Sequence, residues 1–174
     1  DVLLPDLCNI IRGKRISRDQ FDKLYTEGLQ IPSSIYLLDV NGNCTDAGGR
    51  GFSDGDPDVQ IWPVLGSLKL TPWVGPGAAQ VMGCLYELDG SPCQVDPRHV
   101  LKKVVERFHA SGLNPVVALE LEFYLLDASS AETNQPTPPV LPETGRQATA
   151  TQVYSLADLD GFTGFLNEVE AICR

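Results

Sequence analysis

Long apolar runs are missing from this 174-residue chain. None approaches the roughly eighteen residues that a membrane-spanning helix needs, so no membrane segment is read from it. Basic residues are also scarce: thirteen Lys and Arg face twenty-three Asp and Glu, a formal charge of −10. Such a balance repels phosphate backbones and anionic lipid surfaces, which excludes nucleic acid as an expected partner. The five cysteines, at 8, 44, 84, 93 and 173, form no C-x-x-C pair. Neither a disulfide framework nor a zinc site is suggested, and a reducing cytoplasm fits best. The start, Asp1-Val2-Leu3-Leu4-Pro5, has neither an initiating Met nor a basic n-region, so it reads as a trimmed piece rather than a signal peptide. Only two histidines are present, His99 and His109, and neither falls in a nucleophile-base arrangement. Both read as surface or boundary residues, and no catalytic triad is proposed.

What is present belongs to an ordinary globular protein, 43% hydrophobic and 21% charged, long enough for one domain plus part of a second. Val2 to Asp6 and Asn9 to Ile16 read as two strands around a turn. Ser17 can cap a short helix over Asp19 to Glu27, with Phe21 and Leu24 inward and Gly28 as its stop. Strand, turn, strand, helix opens a β-grasp or similar α+β unit. Further strands are expected at Ser34 to Asp39, Val59 to Val64, Ser67 to Trp73 and Ala79 to Leu88, with a Gly-, Asn- and Asp-rich loop over 41–56. Asp96 as N-cap and Pro97 at N1 begin a helix that runs to Gly112 and buries Val100, Leu101, Val104, Val105 and Phe108. After Pro115 a strand is expected over Val116 to Leu126, then a long polar loop at about 128–151. Ser155 and Asp158 then start a last amphipathic helix through Leu159, Phe162, Leu166 and Val169.

Chemistry concentrates in few places. On a strand over 116–126, alternation puts Glu120 and Glu122 on one face and Leu119, Leu121 and Phe123 on the other. Two neighbouring carboxylates repel, and a hard cation such as Mg²⁺ or Mn²⁺ relieves that repulsion. Spacing alone nevertheless favours a solvated outer face over a metal half-site. Asp54, Asp56 and Asp58 sit at alternate positions, like the first half of a calcium loop. Val59 and Leu65 stand where such a loop requires Gly and Glu, so a polar turn is the better reading. Arg12-Gly13-Lys14-Arg15 lacks the context of a phosphate loop and reads as a solvated hairpin turn.

Taken in order, several blocks together carry a resemblance. They are Asp6 with Arg12-Gly13-Lys14, Gly51-Phe52-Ser53-Asp54-Gly55-Asp56-Pro57-Asp58 ahead of Trp62-Pro63, and Pro72-Trp73. They continue through Ala79-Gln80-Val81, Asp89-Gly90-Ser91-Pro92, Asp96-Pro97-Arg98-His99-Val100-Leu101 and Glu120-Leu121-Glu122-Phe123-Tyr124-Leu125. The chain resembles the glutamine synthetase superfamily, in particular its bacterial γ-glutamyl-polyamine and amine ligase branch.

That resemblance implies a β-grasp domain at 1–94 and the truncated beginning of a catalytic α/β domain at 95–174. It implies that Glu120 and Glu122 each give a carboxylate to one of two Mg²⁺ or Mn²⁺ ions, Glu120 on the nucleotide side and Glu122 on the substrate side. It further implies ATP as co-substrate, a small-molecule carboxylate and an amine as reactants, and a γ-glutamyl amide as product through an acyl phosphate. Asp58 would act across a subunit interface in a ring-forming homo-oligomer, while Asp39 and Asp46 compete for the aspartate of the ammonium site. The remaining family ligands and arginines have no counterpart before Arg174, so the chain alone is expected to be inactive. A non-catalytic β-grasp interaction or assembly module on the same scaffold is the alternative.

Overall fold

Strand β6 (Ala79–Tyr86) carries most of the first unit's architecture. The computed structural model describes residues 1–149 and 153–173. It divides into two units, Asp1–Val116 and Val117–Arg174. This division falls later than a boundary near residue 94, because the helix that follows Asp96 is tied to β6.

In the first unit, β1 (Val2–Pro5) and β2 (Ile11–Lys14) form an antiparallel hairpin with Val2 opposite Lys14 and Pro5 opposite Ile11. After a 3-10 turn come α1 (Phe21–Thr26) and β3 (Leu29–Pro32). Then follow β4 (Asp58–Pro63), the two-residue β5 (Lys69–Leu70) and β6. The sheet order is β2-β1-β6-β4-β3, with β5 also on β6; β1 and β6 run parallel and the other pairs antiparallel.

Alternation explains the core. Val2 and Leu4 of β1, Ile31 of β3, Val59 and Ile61 of β4, and Val81 and Leu85 of β6 are all buried, and Leu24 of α1 joins them. Each such side chain contributes about 1.5–3 kcal/mol of burial. Gly83 shares their face of β6. A Cβ there would lie 2.7 Å from Ile61 Cγ2 and 2.9 Å from Leu4 Cδ2, so its bare Cα lets the neighbouring strands' side chains meet.

The turn of the first hairpin is built by one carboxylate. Asp6 Oδ1 accepts the amides of Cys8 (2.9 Å) and Ile10 (2.8 Å), and Oδ2 accepts Arg12 Nε at 2.8 Å. Arg12 is therefore part of a buried ion pair rather than a solvated turn residue.

Four sequence expectations give way to tertiary context. Ser34 to Asp39 is not a strand: Ser33–Tyr36 forms a 3-10 turn, because Asp56 accepts both the amide (2.9 Å) and the hydroxyl (2.8 Å) of Ser34. The strand at this place is Leu29–Pro32, paired with β4. Ser67 to Trp73 shrinks to Lys69–Leu70, next to Pro72, which has no amide to donate. Val116 to Leu126 forms no strand, since no strand among the described residues lies beside it to accept its hydrogen bonds.

The fourth concerns α2 (Pro97–Ala110), whose start is as expected, with the Asp96 carboxylate accepting the amide of Arg98. Its apolar stripe is not buried: Val100, Leu101, Val104 and Phe108 are exposed, and the buried residue is His99. The helix is anchored by its first turn. Asp96 Oδ2 accepts the Leu85 amide at 2.7 Å, and His99 Nε2 lies 2.9 Å from the Leu85 carbonyl.

In the second unit, α3 (Ser129–Thr133) and a bridge between Val140 and Gln147 interrupt the segment read as a polar loop, of which residues 150 and 151 lie outside the described ones. Ser155 caps α4 (Leu156–Gly161) by accepting the Asp158 amide at 3.2 Å. The last helix is broken at Phe162, and α5 (Thr163–Cys173) follows.

Candidate functional site

The segment from Asp39 to Asp58 is fixed by its own side chains. Asp39 Oδ1 accepts the amides of Asn41 (2.8 Å) and Asn43 (2.9 Å), the Asx-turn geometry that closes a tight loop. These bonds, the Asn43 amide first, hold the Asp39 carboxyl below its ordinary range. Asp46 Oδ1 accepts the Ser53 amide at 3.0 Å, and Asp54 Oδ1 accepts the amides of Gly51 and Asp56, each at 3.1 Å. Asp56 is engaged by Ser34.

Three tethers fasten the segment to the sheet. Besides Asp56 and Ser34, Arg12 Nη2 donates to the Asp39 carbonyl at 3.3 Å. Arg50 meets Glu87 through two parallel bonds of 2.9 and 3.1 Å. That fork-to-fork pairing is the strongest geometry open to an arginine and a carboxylate.

Asp58 is different. It opens β4 opposite Pro32, is exposed, and its carboxylate makes no hydrogen bond or ion pair among the described residues. Of the five aspartates at 39, 46, 54, 56 and 58 it alone keeps its carboxylate uncommitted, which makes it available to a cationic partner. Asp54, Asp56 and Asp58 form no metal-sized grouping among the described residues.

Glu120 and Glu122 lie in the second unit, on the irregular exposed segment before α3. The apolar residues between and beside them are exposed as well, Leu119 at 93% and Leu121 at 85%. Neither glutamate makes a hydrogen bond or ion pair among the described residues. The pair is thus available, and oxygen-only donors fit a hard ion such as Mg²⁺ or Mn²⁺. Two carboxylates alone cannot complete the six oxygen ligands that Mg²⁺ prefers. By themselves they fall short of such a site.

Among the described residues a single grouping has three ligand types close together: Cys84, Asp96 and His99, with ligand atoms within 4.8 Å of one another. Sequence reading missed it. Asp96 was legible as a helix cap, but His99 was read as a surface or boundary residue and is 6% exposed. Its signal was the His three positions after the N-cap, which faces back over the first turn.

Residues 94–174 match the family described as glutamine synthetase, catalytic domain. The whole chain is 38% identical over 174 residues to gamma-glutamylputrescine synthetase PuuA of Escherichia coli K12, covering 37% of that protein. A glutamate--isopropylamine ligase of Pseudomonas sp is 33% identical over 128 residues, 72% of this chain and 28% of the relative. The crystal structure of a glutamine synthase homolog superposes with a TM-score of 0.53 at 22% identity, over 63% of this chain and 26% of that one, a likeness of fold. The chain spans 37% of the length of the first of these curated relatives and matches 28% of the second.

Proposed function

This chain belongs to the glutamine synthetase superfamily, and we propose that it is a portion of an ATP-dependent ligase that joins the γ-carboxylate of glutamate to an amine. The observation that carries the reading is the match over the full chain, at 38% identity, to a synthetase whose product is γ-glutamylputrescine. The isopropylamine ligase supports an amine rather than an alcohol or thiol as acceptor.

On this proposal residues 1–94 are a β-grasp domain and 95–174 begin the catalytic domain. The parallel pairing of β1 with β6 inside an otherwise antiparallel sheet supports the first assignment. Glu120 and Glu122 hold Mg²⁺ or Mn²⁺ together with ligands outside this chain. A metal there neutralises phosphoryl oxygens while ATP activates the γ-carboxylate as an acyl phosphate.

The amine arrives as a cation, and an uncommitted carboxylate both attracts it and can hold its proton. Asp58 has that property. In a homo-oligomer it serves the active site of the neighbouring subunit, and the tethered loop before it keeps its position fixed.

The test is phosphate release from ATP by the full natural gene product, with glutamate and, in turn, putrescine, ethanolamine, isopropylamine and ammonia. Amine-dependent release with at least one of these is expected. Absence of release with every amine contradicts the ligase reading and favours a scaffold or assembly role.

A further inference from the structure

We propose that Cys84, Asp96 and His99 form a binding site for a borderline-soft divalent ion of the zinc type, separate from the hard-ion pair Glu120 and Glu122. The three ligand atoms lie within 4.8 Å of one another, and side-chain adjustment of about 1 Å would bring them to tetrahedral coordination. Cys84 is half-buried on β6 and gives access from solvent, while Asp96 and His99 are buried at the start of α2.

The groups around the three already resemble the outer shell of a metal site. His99 Nε2 lies 2.9 Å from the Leu85 carbonyl, an acceptor, so Nε2 carries the proton and Nδ1 is left with a free lone pair. A metal-bound imidazole is ordinarily oriented by such a bond from its other nitrogen. Asp96 is held by two amides, Leu85 on Oδ2 and Arg98 on Oδ1, each at 2.7 Å. Each oxygen keeps a second lone pair, as ligating carboxylates that also accept hydrogen bonds do.

A second observation comes from another element. The hydroxyl of Tyr36, in the 3-10 turn after β3, is buried and has no hydrogen-bond partner. Burial first, then the charge of Asp96, raises the pKa of this phenol. A buried hydroxyl without a partner calls for a water or an ion nearby.

The donor set selects the metal. One sulfur, one imidazole and one carboxylate suit Zn²⁺ or Co²⁺ and not Mg²⁺, which prefers oxygen throughout. On binding, the Cys84 S–H bond breaks, its proton goes to solvent, and a sulfur-metal bond forms.

Titration of the chain with Co²⁺ tests the proposal, since thiolate-to-cobalt charge-transfer absorption is specific to sulfur ligation. A band saturating at one equivalent, released by Zn²⁺, is expected in the unaltered chain and in Glu120→Gln/Glu122→Gln. Cys84→Ser is expected to lose it with its far-ultraviolet circular dichroism unchanged, whereas Cys8→Ser, Cys44→Ser and Cys173→Ser keep it. Absence of the band in the unaltered chain, or its survival in Cys84→Ser, overturns the site and leaves the three groups as a helix-to-strand strut alone. Neither result depends on ligase activity.

Discussion

Asp96 accepts the Leu85 amide at 2.7 Å while its other oxygen accepts the Arg98 amide at the same distance, so one buried carboxylate both caps α2 and pins it to β6. Asp96→Ala removes the cap and strands a buried amide. Chemical denaturation is expected to show a loss of about 2–4 kcal/mol. Asp96→Asn, which keeps one acceptor, is expected to lose less.

Asp6 contributes to the response to acid. Burial alone would raise its pKa, but the Ile10 amide, Arg12 and the Cys8 amide outweigh it, and the carboxyl is held below its ordinary value. A depressed folded pKa contributes stability that is complete above the unfolded value of about 3.9 and is lost as pH falls through the folded one. Stability measured against pH below about 4 is therefore expected to fall less steeply in Asp6→Asn than in the unaltered chain.

Gly13 faces the first strand so closely that a Cβ would lie 1.8 Å from the Val2 carbonyl oxygen, at a φ of +148°. Gly13→Ala must open the β1–β2 hairpin. A loss of about 3 kcal/mol or more is expected in thermal or denaturant unfolding.

The bidentate Arg50–Glu87 pair holds the acidic loop to β6. In Glu87→Gln, hydrogen exchange is expected to quicken in the amides of 47–57. Global stability should change by only about 1 kcal/mol, because the pair is partly solvated.

Legibility followed the range of the interactions. The first hairpin, β4, β6, the Asp96 cap and the Ser155 cap were readable because alternation and capping are local. Ser34 was misread as strand because its partner, Asp56, is 22 positions away. His99 was misread as surface because the carbonyl that buries it belongs to Leu85, on another element. The expectation of a strand over 116–126 rested on alternation, but pairing requires a neighbour, and none is present among the described residues. Glu120, Glu122 and Asp58 stand out in the sequence by residue type and spacing. What sequence could not rank was commitment: only the structure separates Asp58, which is free, from four aspartates spent on turns and tethers.

We propose that Glu120 and Glu122 each give a carboxylate to a hard divalent ion. Electron paramagnetic resonance of free Mn²⁺, titrated into the chain and into Glu120→Gln/Glu122→Gln, tests it directly. Bound Mn²⁺ is expected in the unaltered chain, displaced by Mg²⁺, with affinity at least about tenfold weaker in the double variant. Equal Mn²⁺ binding by the two proteins would contradict the account.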